Sequence, residues 1–423
     1  MFKEYKLKNG VRLIIAPRTE TKAVAVMIGV AAGSRYEDDK VAGISHFCEH
    51  MFFKGSKKRP TPKEVNDFIN DIGGMYNAYT DKELTAYHVK ISSDHLLEIF
   101  DYFSDNLINP LNLKEEFDRE KGVVIEDIKM HKDRPMEEVM ELFEEQIFTE
   151  KSLGRRIAGS VESVSKITHE DLLKYESEHY IAENLVIVVA GNLGNLSEEE
   201  VIQKVEEYFN IRSGKPLPNK KSSNRDLCAV AVDKRKTEQT NLVIGFGGPS
   251  VKDEEDRYAF RLLAGILGGS SSSRMFSEVR EKRGLAYATE TAYQGYSDTG
   301  SILTLANVAN DKIDEAAKAI IEEYRKIKLE DVSPEELTRV KEIMKSGVLI
   351  GLEDSENVAE MLMRMEIVQG KLISPEEIVQ YYEKITADDI KRVANKYLDF
   401  DKMVITAVGP EVDEEVLNKI MRG

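Results

Sequence analysis

The feature that most constrains this chain is that it is written twice. "KITHEDLLKYESEHYIAENLVIVVAGN" runs from Lys166 to Asn192, and "KITADDIKRVANKYLDFDKMVITAVGP" runs from Lys384 to Pro410, 218 residues further on in a chain of 423. Each reads as a capped amphipathic helix, with Thr at the N-cap and acids in the first turn, followed by an apolar strand and a Gly turn. "TKAVAVMIGVAAGSRYED" (21–38) and "TEQTNLVIGFGGPSVKDEED" (237–256) pair in the same way, as a β-run, a Gly-rich turn and an acidic helix start. Between the halves, "IRSGKPLPNKKSSNRD" (211–226) is rich in Pro, Ser, Lys and Asn and has no apolar periodicity, so it reads as the linker. Two similar domains are therefore expected, residues 1–212 and 227–423, joined across 213–226. Strands and long helices alternate irregularly, and several strands adjoin through short turns. The expected fold class is α+β, each domain a mostly antiparallel β-sheet backed by α-helices rather than a Rossmann sheet.

Composition narrows the function. A hydrophobic fraction of 41% is enough for two cores, but no run of about 18 apolar residues exists to span a bilayer. The opening "MFKEYKLKNGVRLIIAPRT" alternates like a strand on either side of Asn9-Gly10; it lacks a basic leader with an apolar core and has no transit-like composition. Only Cys48 and Cys228 occur, far apart, which argues against a disulfide scaffold and suits a reducing compartment. A cytoplasmic protein with no membrane contact is expected. Asp and Glu number 76 against 59 for Lys and Arg, a net charge of −17, the wrong sign for a nucleic-acid binder.

What differs between the halves is more telling than what they share. "GISHFCEHMFFKG" (43–55) places His46, Glu49 and His50 within five positions of a chain that has seven histidines. The second half has no such pair. On a helix, residues four apart lie on one face, so both imidazoles can point at one ion, while Glu49 beside that face can reach water at the metal without being a ligand. A catalytic zinc site needs a third ligand and an open position. "FDREKGVVIEDIKM" (117–130) is helical in pattern and holds Glu120, Glu126 and Asp127. Seven residues is nearly two turns, so Glu120 and Asp127 share a face and Glu126 points elsewhere. A solvated acidic face is the commoner fate of such a cluster, and spacing alone does not overrule it.

These residues carry a resemblance. His46-Phe47-Cys48-Glu49-His50 resembles the His-x-x-Glu-His signature of the inverted zincins, the family of pitrilysin, insulin-degrading enzyme and mitochondrial processing peptidase. "NAYTDKELTAYHVK" (77–90) is similar to the family's substrate-binding edge strand, and "LGRRIAGS" (153–160) to the loop closing its first domain. "LGGSSSSRMFSEVREKRGLAY" (267–287) is similar to the second domain's Gly/Ser turn and Arg-to-Tyr segment, so the likeness spans essentially the whole chain. It is strongest to the short bacterial processing-peptidase-like members.

The resemblance implies one Zn²⁺ per chain on His46, His50 and Asp127, with Glu49 as general base and Glu120 next to the site. The third ligand in the family is a glutamate, so Asp127 is a departure, one methylene shorter; Glu126 would serve only if the helix rotated. Arg280 and Tyr287 match a pair that the second domain contributes to catalysis, and Asn77, Ala78 and Tyr79 match the strand along which a peptide lies. The implied activity is zinc-dependent endopeptidase action on short or unfolded peptides inside an enclosed chamber, with a homodimer as the particle. The competing expectation is a catalytically weak peptide-binding or assembly subunit of the same fold.

Overall fold

The computed structural model describes residues 2–148, 151–216, 218 and 220–422. The expected linker thus lies partly, at 217 and 219, outside the described residues. The first half runs β1 (Lys3–Lys6), β2 (Arg12–Pro17), β3 (Ala23–Val30), α1 (Ile44–Met51), β4 (Met75–Thr80), β5 (Thr85–Ser92), α2 (Leu96–Ile108), α3 (Lys114–Asp133), α4 (Pro135–Ile147), α5 (His169–His179) and β6 (Leu185–Gly191). The second runs β7 (Ala229–Lys234), β8 (Thr240–Gly248), α6 (Glu254–Gly268), β9 (Ala286–Gly295), β10 (Gly300–Val308), α7 (Ile313–Leu329), α8 (Pro334–Gly351), α9 (Ser355–Arg364), α10 (Ala387–Tyr397) and β11 (Val404–Gly409). Further helices link these elements.

Among the described residues the strands form two sheets, ordered β1-β2-β6-β3-β5-β4 and β7-β11-β8-β10-β9. Without β1, the first order becomes the second when each strand is replaced by its counterpart. Even the single parallel pair recurs, β2 with β6 and β7 with β11, while the other pairings are antiparallel. The expected mixed, mostly antiparallel sheets backed by helices are present. Every residue of β6 is buried, as a strand covered on both faces must be.

The chain divides into two compact units, one of Met1–Lys129, Arg155–Lys220 and Ile350–Leu372, the other of Met130–Gly154, Lys221–Leu349 and Ile373–Gly423. The main crossing falls inside the expected linker, but each half also sends one helix to the other's sheet. In the second unit, Val139, Phe143 and Ile147 of α4 are buried against Val243, Leu303, Val404 and Val408. In the first unit, α9 and the residues after it cover β3 and β6. A glycine marks each docking point. A Cβ on Gly29 would stand 2.6 Å from Met363 Sδ and Ile367 Cδ1, and one on Gly245 would stand 2.7 Å from Phe143 Cζ. Gly29 lies opposite Val186 and Gly245 opposite Val404, corresponding places in the two sheets.

Candidate active site

Helix α1 begins without a capping side chain of its own. The buried carboxylate of Glu37 instead accepts the Gly43 and Ser45 N–H groups, both at 2.8 Å, placing negative charge at the positive end of the helix. On one side Phe52 stacks on Tyr87 of β5, ring centroids 4.2 Å apart; on another Phe47 stacks on Phe117 of α3 at 4.7 Å. Phe117, Glu120 and Val124 form the buried stripe of α3, at the three- and four-residue spacing of one helix face. Packing that stripe against Phe47 turns the acids of α3 toward the histidines of α1.

There, ligand atoms of His46, His50 and Asp127 lie within 4.8 Å of one another. The two imidazole rings are 4.6 Å apart at 76°, and His46 Nε2 stands 3.5 Å from Asp127 Oδ2. Metal–ligand distances of about 2.0–2.2 Å in a tetrahedron put neighbouring ligand atoms about 3.3–3.6 Å apart; the His46–Asp127 separation falls in that range, and two imidazoles with a carboxylate are a donor set that suits zinc. Glu126 points away, its side chain 73% exposed and paired with Lys129.

Glu120 is buried, with Oε1 accepting from His50 Nδ1 at 2.8 Å and Oε2 from Lys54 Nζ at 2.6 Å. Burial alone would raise its carboxyl, but the hydrogen bonds from His50 and Lys54 outweigh it and hold the group below the usual range. Glu49 goes the other way. Burial lifts its carboxyl above the ordinary value, opposed by hydrogen bonding from Thr80, whose Oγ1 donates to Oε2 at 2.5 Å.

Asn77, Ala78 and Tyr79 lie on β4, the edge of their sheet. Asn77 Oδ1 accepts the Ala78 N–H at 2.9 Å, and the Tyr79 hydroxyl donates to Glu360 at 2.6 Å. Arg280 and Tyr287 belong to the second unit, on either side of Gly284, where a wide helical turn (Phe276–Lys282) passes into β9. The Arg280 guanidinium lies 4.6 Å from the Phe276 ring centre and 5.6 Å from that of Tyr287, which is 73% exposed.

Comparison with known proteins bears on this geometry. Residues 12–161 match the family description "Insulinase (Peptidase family M16)", and residues 166–344 match "Peptidase M16 inactive domain". A zinc protease of Rickettsia felis is 34% identical over 415 residues, 96% of this chain and 97% of that protein. The chain belongs to peptidase family M16, the insulinase family. Another relative of this M16 chain, the zinc protease YmxG of Bacillus subtilis, is 30% identical over 95% of the chain and 97% of its own length. Among solved structures, a protease from Helicobacter pylori superposes with a TM-score of 0.91 at 23% identity, covering 97% of this chain and 99% of its own. A chain of complex III from Candida albicans superposes at 0.86 and 20% identity, over 99% of each chain. Both likenesses are of fold.

Three residues of this M16 site are absent from the sequence reasoning: Glu37, Lys54 and Thr80. Thr80 carries no spacing signal toward Glu49. Glu37 and Lys54 resemble any other charged residue until α1 is folded between them.

Proposed function

We propose that this chain is a zinc-dependent endopeptidase acting on short or unfolded peptides, with one Zn²⁺ held by His46, His50 and Asp127. The observation that carries the proposal is the convergence of two imidazoles from one helix with a carboxylate from another, beside the half-buried carboxylate of Glu49. A zinc ion there supplies Lewis acidity, lowering the pKa of water toward neutral and polarising a peptide carbonyl. Glu49 takes the proton from the attacking water and returns it to the leaving amine; a carboxyl raised by burial suits both transfers. Glu120 occupies His50 Nδ1 and so fixes the ring with Nε2 as its ligand nitrogen. The substrate lies as an added strand along Asn77, Ala78 and Tyr79, an edge that reads extended backbone more than sequence. Arg280 is assigned to hold a substrate carbonyl or carboxylate, and Tyr287 to donate to the developing oxyanion.

From the family resemblance we assign the working particle as a homodimer, four such domains in all, whose chamber admits small or unfolded chains. Two free cysteines, Cys48 and Cys228, suit a reducing cytoplasm. A second reading, a weakly catalytic peptide-binding or assembly subunit, is favoured by aspartate in place of glutamate at 127 and by the fold shared with a complex III chain. Metal analysis of the purified chain, combined with cleavage of a quenched basic peptide, separates the two. One zinc per chain with cleavage supports the peptidase. Zinc with peptide binding and no cleavage supports the subunit, and a chain that takes up no zinc contradicts the peptidase.

A further inference from the structure

Thr80 is the last residue of the edge strand, where the pairing of β4 with β5 ends at Thr80 opposite Thr85. A strand end with one neighbour is the part of a sheet most prone to fray. Thr80 nevertheless has to place its hydroxyl on Glu49 Oε2. Successive side chains on a strand face opposite ways, and the residues on either side of Thr80 are both tied to α9 instead of α1. The Tyr79 hydroxyl donates to Glu360 at 2.6 Å, and Arg364 pairs with Asp81 Oδ2 at 2.7 Å. Arg364 also pairs with Glu360, one helical turn away, and its guanidinium lies 5.6 Å from the Tyr79 ring centre. These four side chains close a network that grips the chain immediately before and after Thr80.

We propose that Glu360 and Arg364 are positioning residues for the general base: by fixing Tyr79 and Asp81 they hold Thr80 where it orients Glu49. The inference rests on the assignment of Glu49 as base. It gives α9 a second role besides covering the first sheet. The helix encoded in the second half of the sequence sets the geometry of a carboxylate encoded in the first. A base displaced by about 1 Å can cost about a hundredfold in rate, so a clamp on its hydrogen-bond donor is worth having. The same helix also pairs with the hairpin away from Thr80, through Lys90 and Asp354 at 2.6 Å. That ion pair offers a control for weakened helix docking in general.

The test is a double-mutant cycle in the full zinc-loaded chain. Arg364→Met should lower kcat about tenfold with less change in KM and with zinc content retained, whereas Lys90→Met should leave kcat within about twofold. In a Thr80→Val background the same Arg364→Met change should cost less than about twofold, because its route to Glu49 is gone. Arg364→Lys, which keeps the charge toward Asp81, should recover most of kcat. Equal losses in the two backgrounds, or an equal loss from Lys90→Met, would overturn the positioning role. Amide exchange in the zinc-free chain reads the clamp without turnover: residues 79–82 should exchange about tenfold faster in Arg364→Met, and unchanged exchange would overturn it. If Glu49→Gln retains full turnover, the base assignment fails and takes this inference with it. If Glu49→Gln is inactive and Arg364→Met is not impaired, only the positioning role fails.

Discussion

Asp127 is one methylene shorter than the glutamate the family carries as third ligand, yet its Oδ2 stands 3.5 Å from His46 Nε2, a separation a tetrahedral zinc site can use. Replacing Asp127 by Ala should abolish zinc retention in equilibrium dialysis. Glu126→Ala should barely change it, because that side chain is exposed and paired with Lys129. Asp127→Glu should bind zinc equally or more tightly; weaker binding would mean that α3 stands too close for the longer side chain. Glu120 acts one step out. An amide at 120 keeps the shape but loses the charge that orients His50 and pairs with Lys54, so Glu120→Gln should weaken zinc binding or turnover about 10–100-fold. Helical spacing puts His46 with His50 on one face and Glu120 with Asp127 on another, but it leaves the acids open as a solvated face, and the proposed ligand set rests on the family resemblance. Thr80 and Lys54 were not legible in the sequence, since both reach the site through tertiary packing that no local period encodes.

The elements that hold those residues can be tested one at a time. Glu37 caps α1 from outside the helix and is 1% exposed, and burial pushes its carboxyl up to about 7. The folded chain therefore binds that proton more tightly than the unfolded chain does. Its contribution to stability is full below about pH 4.5 and is lost as pH rises through about 7. At about 1.4 kcal/mol per pH unit between those values, the change is roughly 3 kcal/mol at most. The unfolding free energy of the wild type minus that of Glu37→Gln, which cannot titrate, should fall accordingly between pH 4.5 and 8; a flat difference would contradict the assignment. The strand glycines are a second case. Gly29→Ala presses a Cβ into a crossing helix, and Gly245→Ala presses one both into Phe143 of α4 and onto the Ile302 carbonyl of β10; each should cost about 1–3 kcal/mol or more in urea unfolding. The paired β-runs around these glycines were visible in the sequence as repeats. That each receives a helix from the opposite half was not, because an amphipathic period shows that a face is buried and says nothing about which sheet buries it.

At the scale of the whole molecule, duplication accounts for the architecture and asymmetry for the function. Both halves build the same five-strand order, to which the first adds β1, but only the first carries His46 and His50, and the second is assigned Arg280 and Tyr287. If two chains close a four-domain chamber, light scattering should give about twice 47.9 kDa, and a large folded protein should resist cleavage while its denatured form is cut. A monomer that degrades native proteins freely would defeat that picture. The proposed chemistry is narrower: His46, His50 and Asp127 hold zinc for a reaction in which Glu49 moves the proton. It is tested most directly by turnover of a quenched peptide by zinc-loaded wild type and zinc-loaded Glu49→Gln, assayed side by side. One zinc in each chain, cleavage by the wild type, and a loss of about a thousandfold or more in the variant are expected. Equal turnover by the two, or a fully zinc-loaded wild type that cuts nothing, would contradict that chemistry.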